Sequence, residues 1–286
     1  MSWQSAVILG MVQGLTELLP VSSSGHLVLA ETLLGLRLTD LSFEIAVHVA
    51  TAAAVCFYLR AELVSMLRAL VPWGAASSSE QGVRDRGRTL LIAVVVGTLP
   101  AVVVGLVAYD AVERVFHSVG LTVAALPLTG VFLLSTKLAR DRRLGVSPVL
   151  ALVVGLAQAV AIIPGISRSG MTVGAALLLG MKKDDAVKFS FLLSLPAILG
   201  GAVLKLAKDA GESAAAASSA GAVDLASPTP AAASHLSTTA LLVGSAVAFV
   251  FALIAARTLL GVVRRGKLEY FGYYCILAGV AFLVFT

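Results

Sequence analysis

The chain has 286 residues, of which 58% are hydrophobic and 13% charged, with a mean hydropathy of +0.97. An ordinary soluble domain is excluded, and an all-α polytopic membrane protein is the class that remains. The net charge of +5 falls in short clusters between apolar runs, so it bears on orientation in a bilayer and not on nucleic acid.

Apolar segments run at about 3–19, 24–36, 42–60, 89–109, 119–136, 148–163, 170–181, 186–206, 239–261 and 268–285. The first, second, sixth and seventh fall short of the roughly 20 residues that cross a hydrocarbon core; the other six are long enough. Each short pair is joined by a Ser/Gly/Pro turn, which reads as a re-entrant hairpin around irregular backbone held inside protein or a wet cavity. The N-terminus has neither a basic stretch nor a small-residue cleavage site, so no removable signal peptide is expected. Cys56 and Cys275 lie in apolar segments without metal-like spacing and read as small core residues. Residues 74–88, Ser-rich then basic, read as a cytoplasmic loop; residues 209–238, rich in Ala, Ser and Pro, read as a flexible external loop.

The order of segments repeats: a short pair, then three spans, twice. At an offset of 145, Gly10, Gln13, Ser22, Ser24 and Gly25 meet Gly155, Gln158, Ser167, Ser169 and Gly170. The expected architecture is therefore two inverted-topology repeats, 1–136 and 148–286, each a re-entrant helix hairpin (about 3–36 and about 148–181) followed by three transmembrane helices. A hairpin returns to its own side and three spans reverse it, which makes the repeats inverted. Loops 60–88, 137–147, 182–188 and 257–267 hold most of the Lys and Arg residues, whereas Arg37, Arg114, Lys205 and Lys208 fall on the other side. The first side is then cytoplasmic and both termini are outside.

Inverted repeats bring both hairpin turns near the bilayer midplane, where helix N-termini converge on one spot. Ser22, Ser23 and Ser24 precede a helix expected from about 25, and Ser167 and Ser169 one from about 170. Serine is a favoured N-cap, but each helix needs only one, so five hydroxyls exceed that use. The repeats differ chemically. Glu17 and His26 align with Ile162 and Met171, while Arg168 and Thr172 align with Ser23 and Leu27. One half supplies a carboxylate and an imidazole and the other a guanidinium, whose planar fork suits phosphate oxygens. A carboxylate facing a phosphate calls for a hard cation such as Mg²⁺ between them, and Gln13, four residues before Glu17 on the same helix face, could share that metal or a substrate hydroxyl. His26 could be nucleophile or general acid/base. The bland alternative for Glu17 and Arg168, a structural ion pair, explains neither the histidine nor the serines. Glu44 and His48, at i,i+4, form a second polar pair with a supporting or structural role.

Gln13 to His26 and Pro164 to Thr172 together resemble the undecaprenyl-diphosphate phosphatase family, also called the bacitracin-resistance family. The family's Glu/Gln-x₃-Glu motif falls on Gln13 and Glu17, its Ser-Ser-x-Gly-His run on Ser22 to His26, and its Pro-Gly-x-Ser-Arg-Ser-x-x-Thr run on Pro164 to Thr172. The resemblance implies a hydrolase in the bacterial plasma (inner) membrane with its site open to the outer, periplasmic face. It would remove the terminal phosphate of undecaprenyl diphosphate to recycle the lipid carrier for peptidoglycan synthesis, conferring bacitracin resistance, and use Mg²⁺ or Ca²⁺. Glu17, Ser23, His26 and Arg168 would be catalytic, with Ser23 or His26 attacking phosphorus. Ser22, Ser24, Ser167, Ser169 and Thr172 would bind substrate, and Gln13 with Glu17 the metal. The partners are the lipid substrate and the bilayer, with a homodimer left open. The rival class is a polyprenyl-phosphate transporter or flippase, because broken helices in inverted repeats also describe transporters. A phosphatidic-acid-type phosphatase is set aside, since no suitable histidine follows Arg168 before the 209–238 stretch.

Overall fold

A computed structural model describes residues 1–36, 41–71, 77–108, 119–219 and 237–285. The helices are α1 (Trp3–Leu18), α2 (Ser23–Leu33), α3 (Leu41–Tyr58), α4 (Arg60–Leu70), α5 (Ser78–Val107), α6 (Val119–Ala124), α7 (Leu126–Ser135), α8 (Pro148–Val160), α9 (Arg168–Leu178), α10 (Lys183–Ser219), α11 (Thr238–Arg264) and α12 (Glu269–Phe285). Among the described residues there is no β-strand beyond one isolated bridge, Leu144 to Met181.

Among the described residues, four helical stretches are long and apolar enough to cross a membrane: Ser78–Val107, Gly120–Leu138, Lys183–Lys208 and Thr238–Arg264. A fifth crossing is available if α3 and α4, bent by 79° at Leu59, count as one broken span. Large apolar side chains such as Val103, Leu106, Leu128, Val203 and Leu277 are exposed, the outward surface of a multi-pass protein whose solvent is lipid.

Lipid tails are as apolar as leucine, so helices in a bilayer associate by close packing, and small residues allow it. α1 buries Ala6, Leu9, Gly10, Gln13, Gly14 and Glu17, a three-and-four spacing that forms one stripe. That stripe lies along α11, and α8 lies along α5 in the same manner. A Cβ at Gly10 would strike the Gly244 carbonyl, and one at Gly155 the Gly97 carbonyl. α7 and α12 make a third seam, with Gly130 against Gly272. Between these seams lies a core that includes Leu18, Leu133, Phe191, Leu192, Leu259 and Cys275.

Several sequence expectations change here. The stretch 60–88 is largely helical: α4 occupies its start, and a capping box between Ser77 and Glu80 opens α5 well before the apolar run. Ser/Thr-x-x-Glu is a readable helix start that hydropathy alone overlooks. The external loop expected at 209–238 begins as helix, since α10 continues to Ser219; 220–236 lie outside the described residues, as do Arg37 and Arg114. Cys56 is exposed, whereas Cys275 is buried and directs its thiol to the Pro20 carbonyl. On the basic face, ion pairs join the helix ends: Lys188 with Glu62 at 2.6 Å and Arg264 with Asp184 at 2.6 Å.

Candidate functional site

α1 stops at Leu18 because Pro20 follows. The residue before a proline is driven out of the helical region, and Leu19 sits at φ −72°, ψ 146°. The chain turns through Ser22, a non-glycine residue at φ 67°, and enters α2 at Ser23. A side chain held in the left-handed region is strained and needs surrounding contacts to keep it there. On the other side, Gly165 (φ +87°) makes the turn into α9, where a Cβ would meet the Thr122 carbonyl. Ser167 caps α9 by accepting from the Gly170 N–H at 3.1 Å. Both helices therefore start earlier than expected, and Ser23, Ser24 and Ser169 lie in first turns rather than ahead of them.

The two turns are tied directly to each other. The Gly165 N–H donates to Ser24 Oγ at 3.2 Å, and Ser169 Oγ donates to the Leu19 carbonyl at 3.0 Å. Thr129 on α7 accepts from the Ser167 N–H at 2.9 Å. Thr172 turns into α9's interface with α10, donating to the Arg168 carbonyl and meeting Ser190 Oγ at 2.5 Å. Ser24, Ser169 and Thr172 thus hold the turns in place. Thr129→Val keeps the shape at that position but strands the buried Ser167 N–H. It is expected to cost about 1–3 kcal/mol, read as a lowered unfolding temperature in detergent.

At the centre is Glu17, whose side chain is 1% exposed. Arg168 donates to its Oε1. Its Oε2 accepts from Gln13 Nε2 at 2.9 Å and from Ser23 Oγ at 2.7 Å, and His48 Nε2 lies 3.7 Å away. The charges of Glu17 and Arg168 offset one another, as a buried pair must. His26 Nδ1 is 2.8 Å from the Ser22 carbonyl, which can only accept, so the proton is on Nδ1. In the neutral ring Nε2 then carries a lone pair, and Tyr274 OH donates to it at 2.7 Å. Ser23 and His26, three apart on α2, share a helix face. α2 has no side-chain cap, which leaves N–H groups of its first turn without that partner.

The structure thus joins Gln13, Glu17, Ser23 and Arg168 in one cluster and sets His26 on the same α2 face as Ser23. His48 touches Glu17 directly, while its sequence partner Glu44 offers only a carbonyl to it and sends its carboxylate to Lys205. Tyr274, Thr129 and Ser190 are further members that the motifs do not mark. Among the described residues no three His, Cys, Asp or Glu side chains group as a metal site. Gln13, whose Nε2 bonds the Glu17 carboxylate, nevertheless has an Oε1 buried without a partner. An orphaned amide oxygen and a carboxylate are hard oxygen donors, and Mg²⁺ is often held by one or two protein carboxylates plus phosphate oxygens. The residues fit such an ion.

What the fold and site define is a multi-pass helical membrane protein with a carboxylate, a guanidinium and a hydroxyl converging from two helix pairs. The chain belongs to the family described as Bacitracin resistance protein BacA, which it matches over residues 6–281. It is 38% identical over 284 residues to the undecaprenyl-diphosphatase of Korarchaeum cryptofilum (strain OPF8), covering 97% of each chain. It is also 36% identical to the undecaprenyl-diphosphatase of Desulfatibacillum aliphaticivorans, covering 99% of each, and 36% identical to undecaprenyl-diphosphatase 3 of Bacillus anthracis, covering 98% of this chain and 96% of that one.

Proposed function

We propose that this protein is an integral-membrane hydrolase that converts undecaprenyl diphosphate and water to undecaprenyl phosphate and inorganic phosphate. The observation that carries the reading is the cluster itself: Ser23 donating to Glu17, with Arg168 on the same carboxylate. A serine bonded to a carboxylate has a nucleophile and a proton acceptor already in contact. The guanidinium supplies the bidentate fork that a diphosphate needs.

In this reading the diphosphate draws Arg168 away from Glu17 and is held by the guanidinium and the uncapped N-terminus of α2. Ser23 Oγ attacks the terminal phosphorus as its proton passes to Glu17. The bond from that phosphorus to the bridging oxygen breaks, and the lipid monophosphate leaves. Water then cleaves the phosphoserine: His26 Nε2, released by Tyr274 OH, takes the water's proton, Glu17 returns its proton to Ser23 Oγ, and phosphate departs. A divalent cation, Mg²⁺ or Ca²⁺, would be held by Glu17 and Gln13 and would neutralise diphosphate charge there. The polyprenyl tail stays in the bilayer along the apolar helix faces.

The same proposal takes the chain as two inverted repeats, each a re-entrant hairpin (α1–α2, α8–α9) and three spans, in the bacterial plasma membrane with the site open to the outer face. Support comes from the matched seams, Gly10 on Gly244 and Gly155 on Gly97, which occur at equivalent places in the two halves. No observation favours a transporter over the hydrolase.

The test is phosphate release from undecaprenyl diphosphate by the detergent-purified protein, with Mg²⁺ and with EDTA. Wild type is expected to be active only with the metal. Ser23→Ala should lose about 10³-fold or more, and His26→Ala about 10²-fold, the range of a general acid/base. Activity that persists in Ser23→Ala and vanishes in His26→Ala would make the histidine the nucleophile. No release from folded wild type would end the hydrolase reading.

A further inference from the structure

Among the described polar partners of Glu17, which are Gln13, Ser23, Arg168 and His48, only His48 is left idle by the proposed reaction. Its Nδ1 lies 2.8 Å from the Glu44 carbonyl. A carbonyl cannot donate, so Nδ1 bears the proton and the neutral ring has its lone pair on Nε2. That nitrogen is 3.7 Å from Glu17 Oε2. In that tautomer two electron-rich atoms, an imidazole nitrogen and a carboxylate oxygen, stand side by side, the oxygen buried and the imidazole part-exposed. A third is close by: Gln13, fully buried and bonded to the same Oε2 through Nε2, has an Oε1 with no partner. A half-turn of that amide exchanges its oxygen and nitrogen, bringing Oε1 to the 2.9 Å position beside Glu17.

We propose that His48 Nε2 is a third protein ligand of the divalent cation, completing a Gln13–Glu17–His48 site. This rests on the reading in which Gln13 and Glu17 hold that ion. The Glu44 carbonyl plays the part of the outer partner that fixes the tautomer of a metal-bound histidine and aims its free nitrogen. His48 is also the accessible edge of the set: its side chain is 25% exposed where that of Glu17 is 1%, so the ion can enter past the imidazole. A nitrogen ligand moves the site away from all-oxygen chemistry. Ca²⁺ takes oxygen ligands, whereas Mn²⁺, a first-row transition ion that shares the taste of Ca²⁺ for carboxylate and carbonyl oxygens, also accepts an imidazole nitrogen among them. The site should therefore prefer Mn²⁺ to Ca²⁺.

The experiment is Mn²⁺ binding to the purified, substrate-free protein, followed by electron paramagnetic resonance of free Mn²⁺. Electron spin echo modulation then reads the nuclei bound to the ion. Wild type is expected to bind one Mn²⁺, to show nitrogen modulation that changes when histidine is labelled with ¹⁵N, and to need at least ten times more Ca²⁺ than Mn²⁺ for displacement. His48→Ala should weaken Mn²⁺ at least tenfold and erase the label-sensitive modulation. Wild-type modulation blind to the histidine label overturns the proposal without relying on any variant. If Mn²⁺ is lost in Glu17→Ala and Gln13→Ala but held equally by His48→Ala, the ion sits on Gln13 and Glu17 and His48 is no ligand. If Glu17→Ala binds Mn²⁺ as wild type does, the underlying two-residue reading fails as well.

Discussion

Arg168→Ala is expected to abolish phosphate release, by about 10³-fold or more, the scale on which an arginine acts in phosphoryl transfer. The same change leaves Glu17 as a charge in a site where its side chain is 1% exposed. Uncompensated buried charge is costly, and a drop of about 3 kcal/mol in stability should accompany the loss of activity. The two effects separate in a double variant. Glu17→Gln together with Arg168→Met removes both charges, so stability should return toward that of wild type while activity stays absent. A structural ion pair predicts something else: the double variant would recover activity along with its fold. Arg168→Lys refines the point, because it keeps the charge and loses the fork. It should hold most of the stability and little of the rate. Unfolding temperatures in detergent and phosphate release, measured on the same preparations, read all three.

The second large effect is on stability alone. Gly155 lies so near Gly97 that any side chain must push backbone against backbone. Gly155→Ala should destabilise by about 1–3 kcal/mol, the cost of overpacking, and Gly155→Leu by enough that little folded protein is recovered. Gly82 is the control. It sits exposed within α5 with nothing within 4 Å of the place a methyl group would take, so Gly82→Ala should raise stability by up to about 1 kcal/mol through helix propensity. Equal behaviour of the two glycines would mean that the seam is not tight.

The heart of the site was legible because its chemistry is local in sequence. Glu17, Ser23 and Arg168 stand out as polar residues in apolar surroundings, and the repeat expected from the sequence is what suggests that they meet. The supporting residues were hidden for physical reasons. Tyr274 reaches His26 from 248 residues away, and nothing in an apolar, tyrosine-bearing helix singles it out. Thr129 and Ser190 act through one hydroxyl each, which resembles any small polar residue in a membrane helix. His48 and Glu44 were visible as an i,i+4 pair, yet the pairing misled: the histidine uses the Glu44 backbone and points its ring at Glu17. The helices at 60–88 were missed because hydropathy sees only what enters the bilayer. The shape of α4 is instead amphipathic, burying Ser65 and Met66 and exposing Leu67 and Leu70.

The seam between Gly10 and Gly244 also constrains how the protein is made. Its first helix cannot settle until the penultimate helix has left the ribosome, because that helix supplies the surface α1 packs on. Until then α1 carries Gln13 and Glu17 into the membrane without their final neighbours, Arg168 among them. Membrane insertion of α1 and completion of the site are thus separate events in time, whereas the seam of α5 with α8 can close earlier.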